Sequence, residues 1–215
     1  MDVFPNVKTD PRYENKLVEI HGTADIPRNW RGTPVEQFIL SQNFGHPIAP
    51  CQTPQVLIST CIEFRYAMPV PSMYAYVIRR AGGRLVGSEF TIAYVLSRGV
   101  RHVILIGHND CGMAKVGTVL ADLVEAIVDQ GWDRKRAEEF IHKYAPRYSV
   151  ANELDALEQE FHRLRRIFKK LEVAPLFTSL FDKRLYVPRW YQDLVESGLH
   201  RCVAPVADEE LIQLI

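Results

Sequence analysis

Two short apolar segments, each followed at once by a metal-binding type of residue, constrain this sequence most. QVLIST at 55–60 is followed by Cys61, and VILIG at 103–107 is followed by His108. Short runs rich in β-branched residues between turn signals are typical of buried strands. Between them, residues 88–96 predict a helix, with Ser88 placed to cap it. Strand, helix and strand at this spacing predict a parallel βαβ unit.

Further segments complete an α/β pattern. A helix is predicted over 33–44, where Pro34 suits a first helical position, and another over 152–171, where apolar residues recur every three or four positions. A weaker strand is predicted at 76–78 and a last one at 184–191. We therefore expect an α/β fold in which a mostly parallel central sheet of about four to five strands is flanked by helices.

The chain is expected to form a single domain, 1–215, in which the polar segment 1–32 is an N-terminal arm with little core of its own. Lysine plus arginine equals aspartate plus glutamate, 26 against 26. This balance argues against a general nucleic-acid binder, and no apolar run is long enough for a membrane helix. The first residues lack the features of a secretory signal or a transit peptide, so the expected location is cytoplasmic.

Cys61, His108 and Cys111 are the candidate metal ligands. In an open parallel sheet, the carboxyl ends of neighbouring strands meet at one edge, so these three side chains can converge there. Two thiolates and an imidazole suit zinc, and three protein ligands leave the open position of a catalytic zinc site. A lone H-x-x-C would more simply be a free thiol near an ordinary histidine. The strand-end cysteine and the glycines at 107 and 112 favour zinc.

The segments around these residues resemble the β-class carbonic anhydrases. ISTCIEFR resembles the family's first motif, C-x-D-x-R, and GHNDCG resembles the second, G-H-x-x-C-G. Between them, VIRRAGG is similar to the R-N-A-G segment, with Arg80 where asparagine is usual. PRWYQDLVESG resembles the closing strand and turn, G-x-x-Y-x-x-x-T-G, without its first glycine and its threonine. The resemblance covers residues 50–120 well and 184–200 loosely.

The resemblance implies a carbonic anhydrase, a zinc lyase that hydrates carbon dioxide reversibly to bicarbonate. Zinc on Cys61, His108 and Cys111 would lower the pKa of its water, and the resulting zinc-bound hydroxide would attack carbon dioxide. Arg65 would match the arginine of the family's aspartate–arginine pair.

The resemblance also implies substrate contacts and an assembly. Gln52 and Gly112 would bind substrate, Gln52 across a dimer interface. The chain would form a homodimer or a larger homo-oligomer, with the arm wrapped on a partner subunit. Cys51 and Cys202 have no implied role and are expected to be buried free thiols.

Glu63 is the departure that matters, because the family has aspartate at this position. Glu63 keeps the charge but adds a methylene, and a misplacement of about 1 Å can cost on the order of 10²-fold in rate. Three outcomes stay open. Glu63 orients the hydroxide with Arg65, or it reaches the metal and closes the site, or it turns away.

A second departure lies between Cys61 and Arg79, where the 17 intervening residues, 62–78, are fewer than the family pattern suggests. The stretch carries aromatic residues and prolines, which predicts a reshaped wall, and Phe64 is expected to narrow the entrance. Two alternatives to carbon dioxide hydration follow. One is hydrolysis of an analogue such as carbonyl sulfide or carbon disulfide, and the other is a catalytically silent zinc-binding homologue.

Overall fold

A computed structural model of the chain describes residues 4–201. Its strands are β1 Leu17–Glu19, β2 Val56–Thr60, β3 Ala75–Arg79, β4 His102–His108, β5 Glu172–Thr178 and β6 Leu185–Pro188. Its α-helices are α1 Pro34–Phe44, α2 Glu89–Ser97, α3 Leu120–Val128, α4 Arg134–Tyr148, α5 Glu153–Ile167 and α6 Arg189–Glu196. None of the helices in this part of the chain is long and apolar enough to cross a membrane.

All six strands form one sheet, in the order β1-β6-β5-β4-β2-β3. The four strands β3, β2, β4 and β5 run parallel, and β6 and β1 are antiparallel additions at one side. β2 and β4 are neighbours, so their carboxyl ends meet at one edge of the sheet. The predicted α/β fold with a mostly parallel sheet flanked by helices is therefore confirmed.

Within residues 4–201 the sheet has six strands instead of the expected four to five, because two segments escaped the sequence pattern. β1 lies in the polar arm and is only three residues long. β5 follows directly on the predicted helix 152–171, and Pro175 interrupts its apolar run. Proline inside a run usually argues against a central strand. The structure ends α5 at Ile167, and β5 begins at Glu172.

The N-terminal arm contributes to the core of its own chain. Val7, Tyr13, Ile20, Ile26 and Trp30 are buried in the same apolar cluster as the central strands. These side chains pack into the main core of the chain. The pattern was hidden because these buried apolar residues stand singly among mostly polar neighbours.

The last predicted strand, 184–191, is also wrong in part. β6 ends at Pro188, and the helix α6 begins at Arg189. The segment PRWYQDLVESG is therefore mostly helical and does not form the closing strand and turn that it resembles. Pro188 sits at the N-cap, where its missing N–H costs nothing.

Helix α1 follows its sequence signals, since the Thr33 side chain accepts a hydrogen bond from the Val35 N–H. Ser88 stands at the N-cap of α2 as predicted, but its hydroxyl makes no capping bond. It accepts a hydrogen bond from Arg80 instead. The sequence signal placed the helix start correctly and the role of the side chain wrongly.

A buried group of charges joins α2 and α5 to the loop between β3 and α2. Arg163 donates to Glu89 at 2.6 Å and to Glu160 at 2.7 Å, and all three side chains are at most 9% exposed. Glu160 also accepts from the Leu85 N–H at 3.0 Å. Buried acids need partners of this kind, because an unpaired buried charge is very costly.

Candidate metal centre

Three buried side chains converge where β2 and β4 end. Cys61 follows β2, His108 is the last residue of β4, and Cys111 lies three residues further on. Their exposed fractions are 6%, 4% and 3%. One ligand atom from each lies within 4.8 Å of the others, and the two sulfur atoms are 3.8 Å apart.

The orientation of His108 fits a metal ligand. Its Nδ1 atom is 2.9 Å from the Asn109 carbonyl oxygen, and this bond fixes the ring when Nδ1 carries the proton. Its Nε2 atom is buried and has no hydrogen-bond partner among the described residues. A nitrogen held in this way is left free to coordinate, which is how histidine is usually oriented toward zinc. The residues present therefore fit zinc, and the cluster could bind a metal ion.

The electrostatics of the cluster favour a cation. The pKa of the Cys61 thiol is lowered, chiefly by its hydrogen bond with Cys111 and secondarily because His108 is close. The pKa of Cys111 is raised by the same hydrogen bond and by burial. Burial alone would lower the pKa of His108, but the adjacent Cys61 sulfur outweighs burial and raises it. A metal ion would replace the protons that these groups share.

Glu63 lies beside the cluster and outside it. Its carboxylate accepts from Arg65 Nε at 2.7 Å and from Arg65 Nη2 at 2.6 Å, and the Arg65 backbone N–H also donates to it at 2.7 Å. These bonds hold the pKa of Glu63 below its usual value. One carboxylate oxygen of Glu63 lies 3.8 Å from His108 Nδ1. Glu63 is therefore paired with Arg65, which is the pairing named in the first of the three outcomes left open for Glu63.

Asp110 holds the opposite edge of the same guanidinium. Arg65 Nη1 donates to Asp110 Oδ2 at 2.7 Å, and Nη2 donates to the Asp110 carbonyl oxygen at 2.8 Å. Asp110 has a φ of 53°, a left-handed conformation that aspartate tolerates better than most residues. Lys115 donates to its other carboxylate oxygen at 2.9 Å.

Other residues fix the loops that carry the ligands. Arg79 donates to the carbonyl oxygens of Cys61 and Glu63. Gly83 has a φ of +69°, and a Cβ there would lie 3.4 Å from the Cys61 nitrogen. Glu153, at the start of α5, accepts from the Cys111 N–H at 3.3 Å.

Asn109 is fully buried and ties three segments together. Its side-chain amide donates to the Pro5 carbonyl oxygen and accepts from the Leu180 N–H, both at 2.7 Å. The arm and the segment after β5 are thereby attached to the loop between His108 and Cys111.

A largely apolar pocket of about 520 Å³, counting its open mouth, lies against Cys61 and His108. The polar residues that line it are Thr60, Glu63, Tyr66, Arg79 and Thr178. Its apolar wall is formed by Ala67, Met68, Val70, Val77, Ile106 and Leu180. Part of that wall comes from the short stretch 62–78, in line with the expected reshaping.

Thr178 is a pocket residue that sequence reasoning missed. It pairs directly with His108 in the β4–β5 register and is 5% exposed. Its hydroxyl is buried without a hydrogen-bond partner among the described residues. No sequence signal marked it, because β5 itself was not predicted.

Several residues expected near the site do not line this pocket. Gln52 is exposed, and Gly112 begins a 3₁₀ helix directly after Cys111, where an added Cβ would meet nothing within 4 Å. A Cβ at Gly107 would meet the Phe177 ring at 3.2 Å, so this glycine serves packing within the sheet. Phe64 is 90% exposed and does not narrow the entrance, contrary to expectation. Cys51 is a half-buried free thiol, and Cys202 lies outside the described residues.

Comparison with solved structures identifies the architecture. The β-carbonic anhydrase isoform I of Trichomonas vaginalis superposes with a TM-score of 0.54 and 18% identity, over 72% of this chain and 93% of that one. The protein has the β-carbonic anhydrase fold. The ligand cluster lies within this fold at the carboxyl ends of β2 and β4.

Other structures overlap less closely with this β-carbonic anhydrase fold. A carbon disulfide hydrolase gives a TM-score of 0.49 at 16% identity, over 72% of this chain and 86% of that one. A carbonic anhydrase from Glaciozyma antarctica gives a TM-score of 0.45 at 20% identity, over 74% of this chain and 96% of that one. No family model matches the sequence, and no curated protein matches it.

Proposed function

We propose that this protein is a zinc-dependent carbonic anhydrase, which hydrates carbon dioxide reversibly to bicarbonate. The observation that carries the proposal is the convergence of Cys61, His108 and Cys111 in a buried cluster from which Glu63 stands apart. Three protein ligands are the number found in catalytic zinc sites, which keep one position for water or substrate. The likeness to the Trichomonas vaginalis β-carbonic anhydrase supports the fold on which this proposal rests.

Cys61, His108 and Cys111 would hold the zinc ion, which would supply the nucleophile by lowering the pKa of water toward neutrality. The Glu63 carboxylate, ionised and fixed by Arg65, would accept a hydrogen bond from the attacking oxygen and orient it. The apolar pocket wall holds a small uncharged substrate and limits competing water. In this proposal Gln52 and Gly112 keep substrate-binding roles only if another copy of the chain brings them to the pocket.

The pocket also favours a second candidate, hydrolysis of carbonyl sulfide or carbon disulfide. Six apolar side chains line it, and these substrates are less polar than bicarbonate. A silent zinc-binding homologue is less well supported, because Glu63 is bonded to Arg65 and is not part of the ligand cluster.

Stopped-flow measurement of carbon dioxide hydration by the zinc-loaded protein tests the proposal, with hydrogen sulfide release from carbon disulfide measured in parallel. We expect hydration activity that Glu63→Gln lowers about 10²-fold, since the variant loses the charge that pairs with Arg65. Glu139→Gln, an exposed position on α4, is the matched control and should match the wild type. An inactive wild type that gains activity as Glu63→Asp would overturn the proposal.

We also propose that the protein forms a homodimer or larger homo-oligomer through the edge of the sheet at β3. The exposed apolar residues of this proposed interface are Val77 on β3, Phe90 and Tyr94 on α2, and Ile62 and Phe64 on the loop after β2. Tyr76 and Tyr94 make a ring contact that connects the strand face to the helix. An apolar edge strand of this kind is usually covered by a partner.

The proposed location is the cytoplasm. Cys61 and Cys111 must stay reduced to bind zinc, and a reducing compartment keeps them so.

A further inference from the structure

Arg65 is shared between two acids, and the structure shows how the sharing is arranged. One edge of its guanidinium, Nε and Nη2, bonds the Glu63 carboxylate at 2.7 and 2.6 Å. Nη1 bonds the Asp110 carboxylate at 2.7 Å, and Nη2 also reaches the Asp110 carbonyl oxygen at 2.8 Å. The guanidinium is therefore fixed on both sides, with 21% of the side chain exposed.

Asp110 can act as an anchor because it is itself held. Its backbone is in a left-handed turn between His108 and Cys111, and its second carboxylate oxygen accepts from Lys115 at 2.9 Å. Its position is thereby tied to the ligand loop, whereas Arg65 and Glu63 lie on the loop after β2. The Asp110–Arg65 bond joins the two ligand-bearing loops across the cluster.

Glu63 needs such an anchor more than a shorter acid would. A glutamate side chain has one more rotatable bond than an aspartate, so its carboxylate can reach more positions. One oxygen of the Glu63 carboxylate lies 3.8 Å from His108 Nδ1. A Glu63–Arg65 pair without an anchor could swing as a unit toward the coordinating atoms.

We propose that Asp110 is a positioning residue that anchors Arg65 and thereby keeps the Glu63 carboxylate off the metal. This inference rests on the proposed zinc site. Without the anchor, Glu63 competes for the fourth coordination position, which water or substrate must occupy.

Azide binding to the cobalt-loaded protein tests the inference, followed by the visible absorption of the metal. Asp110→Gly removes the carboxylate, and glycine accepts the left-handed backbone at no cost. We expect azide to bind Asp110→Gly about tenfold or more weakly than the wild type, as loss of a charge-assisted hydrogen bond predicts. Asp110→Asn keeps an acceptor oxygen for Arg65 and should restore part of the affinity.

The double variant Asp110→Gly with Glu63→Gln separates positioning from general damage, because a neutral amide competes poorly for the metal. We expect it to bind azide like the wild type. Unchanged affinity in Asp110→Gly would overturn the inference, and so would equally weak binding in the double variant.

If Asp110→Gly does not fold or does not retain cobalt, Asp110→Asn decides the matter, since it must then bind azide more weakly than the wild type. A wild type that takes up no cobalt would overturn the zinc site as well. A cobalt-loaded wild type whose affinity neither variant changes would overturn only the role of Asp110.

Discussion

The sulfur atoms of Cys61 and Cys111 lie 3.8 Å apart, one after β2 and the other in the loop after β4. Their proximity predicts that zinc binding requires both. We expect Cys111→Ser to lose the metal, because a serine hydroxyl is a poor substitute for thiolate. Metal analysis of the purified protein measures this. Cys51→Ser, which changes a half-buried thiol outside the cluster, should bind as much zinc as the wild type.

Zinc affinity should depend on pH through the same cluster. The pKa of His108 is raised above 6.5, so its proton competes with zinc at a pH where an ordinary histidine has lost it. Affinity should rise with pH and fall as the pH drops through the raised pKa, by about tenfold per pH unit for each proton displaced. Chelator competition at several pH values measures this, and a flat profile would contradict the ligand set.

The buried charges behind the site should matter for stability. Arg163→Met leaves Glu89 and Glu160 without their shared cation, and we expect a loss of about 3–5 kcal/mol in the free energy of unfolding. Urea unfolding measures it. Arg134→Met breaks the exposed Arg134–Glu125 pair and should cause no measurable change. Equal effects of the two variants would contradict the distinction between buried and exposed pairs.

Thr178 should behave as an unsatisfied buried hydroxyl in the metal-free protein. Thr178→Val replaces the hydroxyl by a methyl group of similar size, so we expect an unchanged or higher Tm. Thr178→Ser keeps the hydroxyl and removes a buried methyl group, which should cost about 1 kcal/mol. Calorimetry of both variants checks this order, and a clear loss in Thr178→Val would mean that the hydroxyl has a partner.

The apolar face at β3 and α2 should control assembly. Phe90 is 88% exposed, and Phe90→Asp places a charge in the proposed interface. We expect it to shift the protein to monomers in light scattering coupled to size exclusion. Phe140→Asp alters an exposed aromatic on α4 that is not one of the residues of this face, and it should leave the mass unchanged. A monomeric wild type would rule out the proposed assembly.

Local patterns were enough to predict the strands β2 and β4, the helices α1 and α2, and the positions of Cys61, His108 and Cys111. These features depend on residues close together in the chain and on the rule that parallel strands end at one edge. The same reasoning failed for β5, whose proline conflicts with a strand, and for α6. Neighbouring strands and the packed core override local preference at those places.

The sequence by itself determined which residues form the candidate zinc ligands, because all three lie at or shortly after the end of a strand that its own neighbours specify. Only the tertiary structure decided where Glu63 points, since its partner Arg65 is held by Asp110, 45 residues away in the chain. The burial of the arm and the pocket position of Thr178 were decided in the same way. A side-chain conformation depends on partners distant in sequence, and no local pattern records which of them the fold brings into contact.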